Sequence, residues 1–418
     1  MKVVVIAGGQ GTRIVSVNSE IPKAMIPIAG KPILEYEVEM AKRYGYTDFL
    51  FIIGHMGDQI EHYFEDGRRW NVNIEYYKEE KPLGTAGALG CLKNKLTEDF
   101  FVFYGDTVMD FDMDAMLAYH KEKQADATLF LHPNDHPYDS DIVELTTDGR
   151  VLKFCNKPHV HDFVSHNMVN AALFIFSPKV LEQIEVGTKS HIEKHVLPAC
   201  LDKGMNLFGY VSFEYIKDMG TPDRFHEAET DMLKGLVYAR NLKNKQKAIF
   251  LDRDGTINKL AGFVTNPKQF ELIQDAADAI KLINKSGYLA IVVTNQPVIA
   301  RGDCTFEELQ TIHDKMETEL GKKGAFVDAI YVCPHHTDKG FEGERPEYKC
   351  DCNCRKPKPG LFLQAAKDFN INLSQSYMIG DSDSDIEAGQ NAGVQKSLKI
   401  GTSEGKTLLD LVNLVLSY

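Results

Sequence analysis

The sequence predicts an α/β protein built of two doubly wound domains, and three observations carry that expectation. Short apolar, β-rich runs alternate with segments whose apolar residues recur at helical spacing. The chain has 418 residues, more than one core ordinarily serves, because single hydrophobic cores stop growing at roughly 250–300 residues. Its composition, 43% hydrophobic, 10% aromatic and 26% charged, is that of a packed globule and lacks the polar, Pro-rich bias of disorder.

The elements follow in order. Val3–Ile6 reads as a buried strand, and Leu34, Val38 and Ala41 fall on one helical face. Phe49–Ile53 and Phe100–Tyr104 are further strands. A charged, helix-compatible stretch spans Arg224 to Lys247, and the boundary falls near its end, giving domains 1–243 and 244–418. Beyond it, Ala248–Leu251, Leu289–Val293, Ala329–Val332 and Tyr377–Ile379 read as strands, with helices over Asp275–Lys285 and Thr305–Leu320. There is no internal repeat and no low-complexity segment.

Forty-seven Lys and Arg stand against 60 Asp and Glu, a net charge of −13. A surface this acidic repels phosphate backbones and anionic lipid, so neither nucleic acid nor membrane is an expected partner. Phosphorylated small molecules remain accessible to such a protein if it brings divalent metal and a few placed cations. The apolar run at Val3–Ala7 is too short for a signal peptide, and no run nears the ~18 apolar residues of a membrane span, so a cytoplasmic location is expected. Oligomeric state is not legible. Of eight cysteines, Cys333, Cys350, Cys352 and Cys354 crowd together, which favours metal over disulfides.

Gly8-Gly9-Gln10-Gly11-Thr12-Arg13 follows directly on the first strand, where glycines let backbone N–H groups approach phosphate. Pro22-Lys23, Gly30-Lys31-Pro32, Leu83-Gly84-Thr85-Ala86-Gly87 and Gly105-Asp106 come next, in that order. This series resembles the sugar-1-phosphate nucleotidyltransferases over roughly residues 1–235, which implies a Rossmann-like mixed sheet. In that chemistry a sugar phosphate oxygen attacks the α-phosphorus of a nucleoside triphosphate in line, so two anions must be held together. The resemblance implies that Arg13 and Lys23 polarise the phosphates. Gly8, Gly9, Gly11, Thr12, Gly84 and Thr85 would enclose the nucleotide, and Asp106 with Asp218 would hold Mg²⁺, a hard cation suited to oxygen ligands. Lys157 and Asn170 match positions facing the sugar and its phosphate. Two departures stand out: Ile14-Val15 where the family has Leu-Arg, and Asn156 where it often has Glu before Lys-Pro.

The second domain opens with Asp252-Arg253-Asp254-Gly255-Thr256 immediately after its first strand. Two carboxylates two residues apart there face one edge of a sheet. Thr294-Asn295, Arg355-Lys356-Pro357 and Gly380-Asp381-Ser382-Asp383-Ser384-Asp385 complete a four-part set that resembles the haloacid-dehalogenase phosphatases. The implied roles are those of hydrolysis through an aspartyl phosphate: Asp252 as nucleophile, Asp254 as general acid and base, and Thr294 and Lys356 as stabilisers of the transferring oxygens. Mg²⁺ would be held by Asp252, the Asp254 backbone carbonyl and Asp381. Asn295 and Arg355 are expected to contact substrate.

Cys333-Pro-His335 and Cys352-Asn-Cys354 form two Cys/His pairs separated by a loop, a tetrahedral zinc pattern. The set with Cys350 and Cys352 is the alternative. This loop and the absence of a large cap narrow the resemblance to the subgroup of heptose-1,7-bisphosphate and histidinol-phosphate phosphatases, from which Pro297-Val298 departs where Ser-Gly is usual. Taken together, the resemblances imply consecutive steps. The second domain would remove the 7-phosphate of D-glycero-α-D-manno-heptose 1,7-bisphosphate. The first would then transfer GMP from GTP to heptose 1-phosphate, releasing pyrophosphate. The run Val17–Pro32 resembles the guanylyltransferases of such a route. The alternatives are a hexose-1-phosphate guanylyl- or uridylyltransferase fused to a histidinol-phosphate-like phosphatase, or one domain kept for binding or regulation.

Overall fold

The computed structural model describes residues 1–9, 20–160, 163–260 and 262–417. Gly11, Thr12 and Arg13 lie outside the described residues. Two compact units are present: Met1–His132, Val143–Asn156 and Asn170–Asn241 form one, and Pro133–Ile142, Lys157–Val169 and Leu242–Tyr418 form the other.

In the first unit the buried run Val3–Ala7 pairs in parallel with Asp48–Ile53 on one side and Phe100–Tyr104 on the other. Asp48–Ile53 also pairs with Asn73–Lys78, and Val169–Phe176 adds antiparallel to Phe100–Tyr104, so the sheet is mixed. Helix Ile33–Arg43 buries the face carrying Leu34, Val38 and Ala41, which join Val3, Val5, Phe49, Phe51, Phe101 and Phe103 in one core. Strand Tyr215–Asp218 pairs antiparallel with Thr107–Asp110, which follows directly on the Phe100–Tyr104 strand and its turn. The charged stretch 224–247 is not one helix: Pro222–Leu233 stops before Gly235, whose φ of +74° only glycine adopts readily, and a single turn, Leu236–Ala239, follows.

The second unit has one five-stranded parallel sheet in the order Ala329–Cys333, Tyr288–Asn295, Lys247–Leu251, Tyr377–Gly380, Lys396–Lys399. Lys247–Leu251 is central and buried on both faces, as its uninterrupted apolar run requires. Helices Ala276–Asn284, Phe306–Gly321 and Leu408–Leu416 pack on this sheet through Ile280, Ile283, Ile312, Met316, Leu411 and Val415. Strand order reverses between Lys247–Leu251 and Tyr377–Gly380, and at such a point the carboxyl ends of the strands open a crevice. Among the described residues, no helix is long and apolar enough to cross a membrane.

Candidate active sites

The carboxyl ends at that crevice carry the side chains expected from the sequence. Asp252 follows Leu251, Asp381 follows Gly380, Thr294 and Asn295 end the Tyr288–Asn295 strand, and Lys356 enters from the Arg355-Lys356-Pro357 turn. Lys356 is the hub. Its Nζ lies 2.7 Å from Asp252 Oδ1 and 2.6 Å from Asp385 Oδ1, and it donates to the Val293 carbonyl at 2.8 Å. Burial raises the Asp252 carboxyl to about 6, with Lys356 opposing that and the Asp385 charge adding to it. Asp381 is raised likewise, first by burial and then by Asp385.

One oxygen each from Asp252, Asp381 and Asp385 lie within 4.8 Å of one another. Gly255, at φ +82°, is the neighbour that permits this approach, because a Cβ there would sit 2.1 Å from Asp381 Oδ2. Three carboxylates facing one ammonium leave excess negative charge on hard oxygen donors, the donor set a divalent cation such as Mg²⁺ fits. Asp385 closes the Gly380–Asp385 motif, but nothing in the sequence places it with Asp252 and Asp381. It sits on the first turn of helix Asp383–Ala392, where it caps Ser382 and reads as an ordinary helix start.

Asp254 looks elsewhere. Its carboxylate accepts from Arg253, from Asn258 Nδ2 at 3.0 Å and from Gln296 Nε2 at 2.8 Å. Asn295 grips the Lys356 backbone, accepting its N–H at 3.0 Å and donating to its carbonyl at 3.1 Å. Thr294 is buried and accepts from Gln296 at 2.9 Å. Arg355 donates to the His335 carbonyl at 3.0 Å, so its backbone neighbours join the hub to the cysteine loop.

In that loop, Cys333, His335, Cys352 and Cys354 bring one ligand atom each within 4.8 Å of the others. Cys354 Sγ lies 3.2 Å from both Cys333 Sγ and Cys352 Sγ and 3.3 Å from His335 Nδ1. Three thiols and one imidazole gathered in one place are a donor set that zinc takes. Cys350 is exposed and outside the cluster, so the geometry selects the Cys352/Cys354 set.

The first unit gathers its charges at the ends of Phe100–Tyr104 and Tyr215–Asp218. Lys23 forms an ion pair with Asp106 Oδ2. The Met219 N–H donates to the Asp106 carbonyl at 2.9 Å, which holds Asp218 on the adjacent strand. Asp218 accepts from Arg224 Nη1 at 2.7 Å and from Gly220 N–H at 2.9 Å. Burial works against its ionisation, but the Arg224 and Lys23 cations outweigh burial and keep its carboxyl below the usual range. Gly84 has φ +77°, and a Cβ there would meet the Ser190 carbonyl at 2.3 Å. Thr85 Oγ1 accepts the Ile192 N–H at 2.9 Å, bracing the same loop. Gly8 lies against Glu79, which accepts the Leu83 N–H at 3.1 Å and so ties Gly8 to the start of helix Gly84–Gly90. Glu79 was not expected from sequence, since nothing in its local pattern marks it. Gly9 is exposed with nothing within 4 Å of an added Cβ. Asn170 accepts the Ala172 N–H at 3.1 Å. In the second unit, Lys157 Nζ donates to the Asp139 carbonyl at 2.8 Å.

The nucleotidyl transferase family model matches residues 2–235, more than half of the chain. The chain belongs to the nucleotidyl transferase family. A HAD-hydrolase-like model matches residues 353–409 of this nucleotidyl transferase family member, within the five-stranded unit. A D-glycero-beta-D-manno-heptose-1,7-bisphosphate 7-phosphatase from Pasteurella multocida is 42% identical over 160 residues, 38% of this chain and 84% of that protein. A UTP–glucose-1-phosphate uridylyltransferase from Synechocystis is 31% identical over 261 residues, 59% of this chain and 66% of that protein. The solved structure of HddC from Yersinia pseudotuberculosis complexed with GMP-PN aligns at 24% identity, covering 55% of this chain and 99% of that one, with a TM-score of 0.48. The nucleotidyl transferase family member thus carries two α/β domains, an N-terminal transferase and a C-terminal HAD-like domain.

Proposed function

We propose that the chain is bifunctional, with residues 1–243 as a sugar-1-phosphate nucleotidyltransferase and 244–418 as a sugar bisphosphate phosphatase. The phosphatase would free the 7-position of a heptose 1,7-bisphosphate, and the transferase would join GMP from GTP to the resulting heptose 1-phosphate with loss of pyrophosphate. The observation that supports the reading is the Lys356 hub, where the carboxylates of Asp252, Asp381 and Asp385 gather with one ammonium at the crevice of a parallel sheet. The 42% identity to heptose bisphosphate 7-phosphatases supports the sugar. The likeness of Val17–Pro32 to guanylyltransferases supports the base.

In hydrolysis, an Asp252 oxygen attacks phosphorus and the bond from phosphorus to the sugar oxygen breaks. The leaving oxygen takes the Asp254 proton. Asp254 then accepts a proton from the water that attacks the aspartyl phosphate, releasing inorganic phosphate and restoring Asp252. Lys356 offsets the repulsion between the nucleophile and a phosphate dianion. Mg²⁺ bound by Asp252, Asp381 and Asp385 would supply further charge neutralisation. Zinc at Cys333, His335, Cys352 and Cys354 would be structural, fixing the loop behind Arg355 and Lys356. In transfer, Lys23 and Arg13 would bind the triphosphate, Gly8, Gly9, Gly11, Thr12, Gly84 and Thr85 the nucleoside, and Asn170 the sugar phosphate. Mg²⁺ at Asp106 and Asp218 would join the two anions. Incubating the protein with Mg²⁺, each nucleoside triphosphate and each anomer of the bisphosphate, then weighing the products, tests the proposal. Release of phosphate without any nucleotide sugar under all combinations would leave the transfer half without support.

A further inference from the structure

The side chain between the two paired aspartates is in an unusual place. Arg253 is completely buried, so its guanidinium cannot reach a substrate. A buried cation persists only when its charge and its donors are all engaged. The described ion pairs give it one carboxylate, Asp254, onto which Nη2 donates at 2.9 Å and 2.8 Å. Its far nitrogen, Nη1, lies 3.3 Å from His313 Nε2, on the inner face of helix Phe306–Gly321. An arginine has no lone pair to offer, so His313 must accept there and carry its own proton on Nδ1. Burial first, then the charges of Arg253 and His166, hold His313 well below the usual imidazole range and so in the neutral form this contact needs. The charge of the next acidic residue on that helix face, Glu317, is taken up by His166.

We propose that Arg253, seated against His313, is the positioning residue for Asp254 and fixes the direction in which that carboxyl presents its proton to the leaving oxygen. With Asn258 on Oδ1 and Gln296 on Oδ2, both Asp254 oxygens are tied from the protein side. A fifth of the side chain remains open to the crevice. Without the His313 acceptor, Nη1 loses its anchor and the guanidinium can swing, carrying the Asp254 oxygens with it. This inference rests on the reading of Asp254 as the proton donor.

The leaving group discriminates between positioning and mere support. A sugar alkoxide needs a proton to depart, whereas nitrophenolate leaves without one. In the full-length protein with Mg²⁺, His313→Leu is expected to lower kcat for a primary alkyl sugar phosphate about tenfold or more, with KM unchanged. Hydrolysis of p-nitrophenyl phosphate should change less than about threefold. His313→Gln, whose amide oxygen can accept from Arg253, should restore the alkyl rate. Arg253→Lys, which keeps the charge and loses the two-sided grip, should show the same split and serves if His313→Leu does not fold. Equal losses on both substrates in either folded variant, or no loss on the alkyl ester, would overturn the proposal. Asp254→Asn is the separate control: if it still hydrolyses the alkyl ester, the proton-donor reading fails, whatever the His313 variants do.

Discussion

The two candidate sites hold their charges in opposite ways. In the phosphatase unit the Lys356 side chain is 2% exposed and Asp385 only 1%, and Lys356 is already paired with Asp252 and Asp385. In the transferase unit the Asp106 side chain is 31% exposed and Asp218 51%, with Lys23 and Arg224 reaching them from more open positions. A buried network fixes geometry before substrate arrives, and removing one partner strands the other in low dielectric. An open one leaves room for a triphosphate and a second phosphate to complete the charge balance. The first arrangement suits one small anion always attacked from the same side, and the second suits two anions that must be brought together.

The sharpest way to break that comparison is to show that the sites are not independent. Asp252→Asn is expected to lower phosphate release about a thousandfold or more, because the nucleophile is lost while the fold keeps an isosteric hydrogen-bonding group. Nucleotidyl transfer from supplied sugar 1-phosphate should stay within about tenfold (~1.4 kcal/mol) of the parent, measured by pyrophosphate release. A larger drop in a folded variant would mean that the units share catalysis. The converse change, Lys23→Ala, should cost transfer about 100-fold, since a placed cation is lost from the developing charge of the phosphates. Phosphate release by the same preparation should be unaltered, and loss of both activities would point to a global effect.

Next in size is the cysteine cluster, which belongs to structure rather than turnover. Cys352→Ser should lower bound zinc below one per chain and lower the melting temperature of the phosphatase unit by about 5 °C or more. Cys350→Ser should do neither, since Cys350 is exposed and outside the four-ligand group. Metal analysis with thermal melts decides this, and the reverse pattern would move the site.

The same contrast explains what could be read without coordinates. Motifs that sit at strand ends, Asp252 and Asp381 for instance, were legible because a buried strand announces its own carboxyl edge. The four zinc-type ligands were legible because their side chains match a fixed coordination number. The part Asp385 plays in its motif, and Glu79 altogether, were not, because a carboxylate at a helix start or in a loop reads locally as a cap, and only tertiary packing turns it toward Lys356 or toward Leu83. Arg253 and His313 stayed hidden for the same reason, as their pairing joins positions sixty residues apart. The stretch 224–247 misled because its polar composition suits a helix, while Gly235 ends one there.

The smallest expected effect tests where the second unit takes its chain from. Residues 157–169 group with that unit although they precede its main segment, and His166 meets Glu317 of helix Phe306–Gly321 there. The Asn167 N–H adds a bond to the same carboxylate at 3.2 Å. Burial lowers the His166 pKa, but the Glu317 charge and hydrogen bond, with Asp314 adding, outweigh it and raise the imidazole above its ordinary 6.5. Protonated His166 therefore favours the folded state, fully at pH below about 6.5 and no longer once pH passes the raised folded value. The ring is two-fifths exposed, so the gain is about 1 kcal/mol or less after screening by solvent. His166→Gln is expected to lower the melting temperature at pH 6 and to leave it nearly unchanged at pH 9, compared with the parent at each pH. An equal shift at both values would mean that the ring contributes packing and no charge. That would leave Asn167 and the loop backbone, rather than an ion pair, holding residues 157–169 to the phosphatase unit.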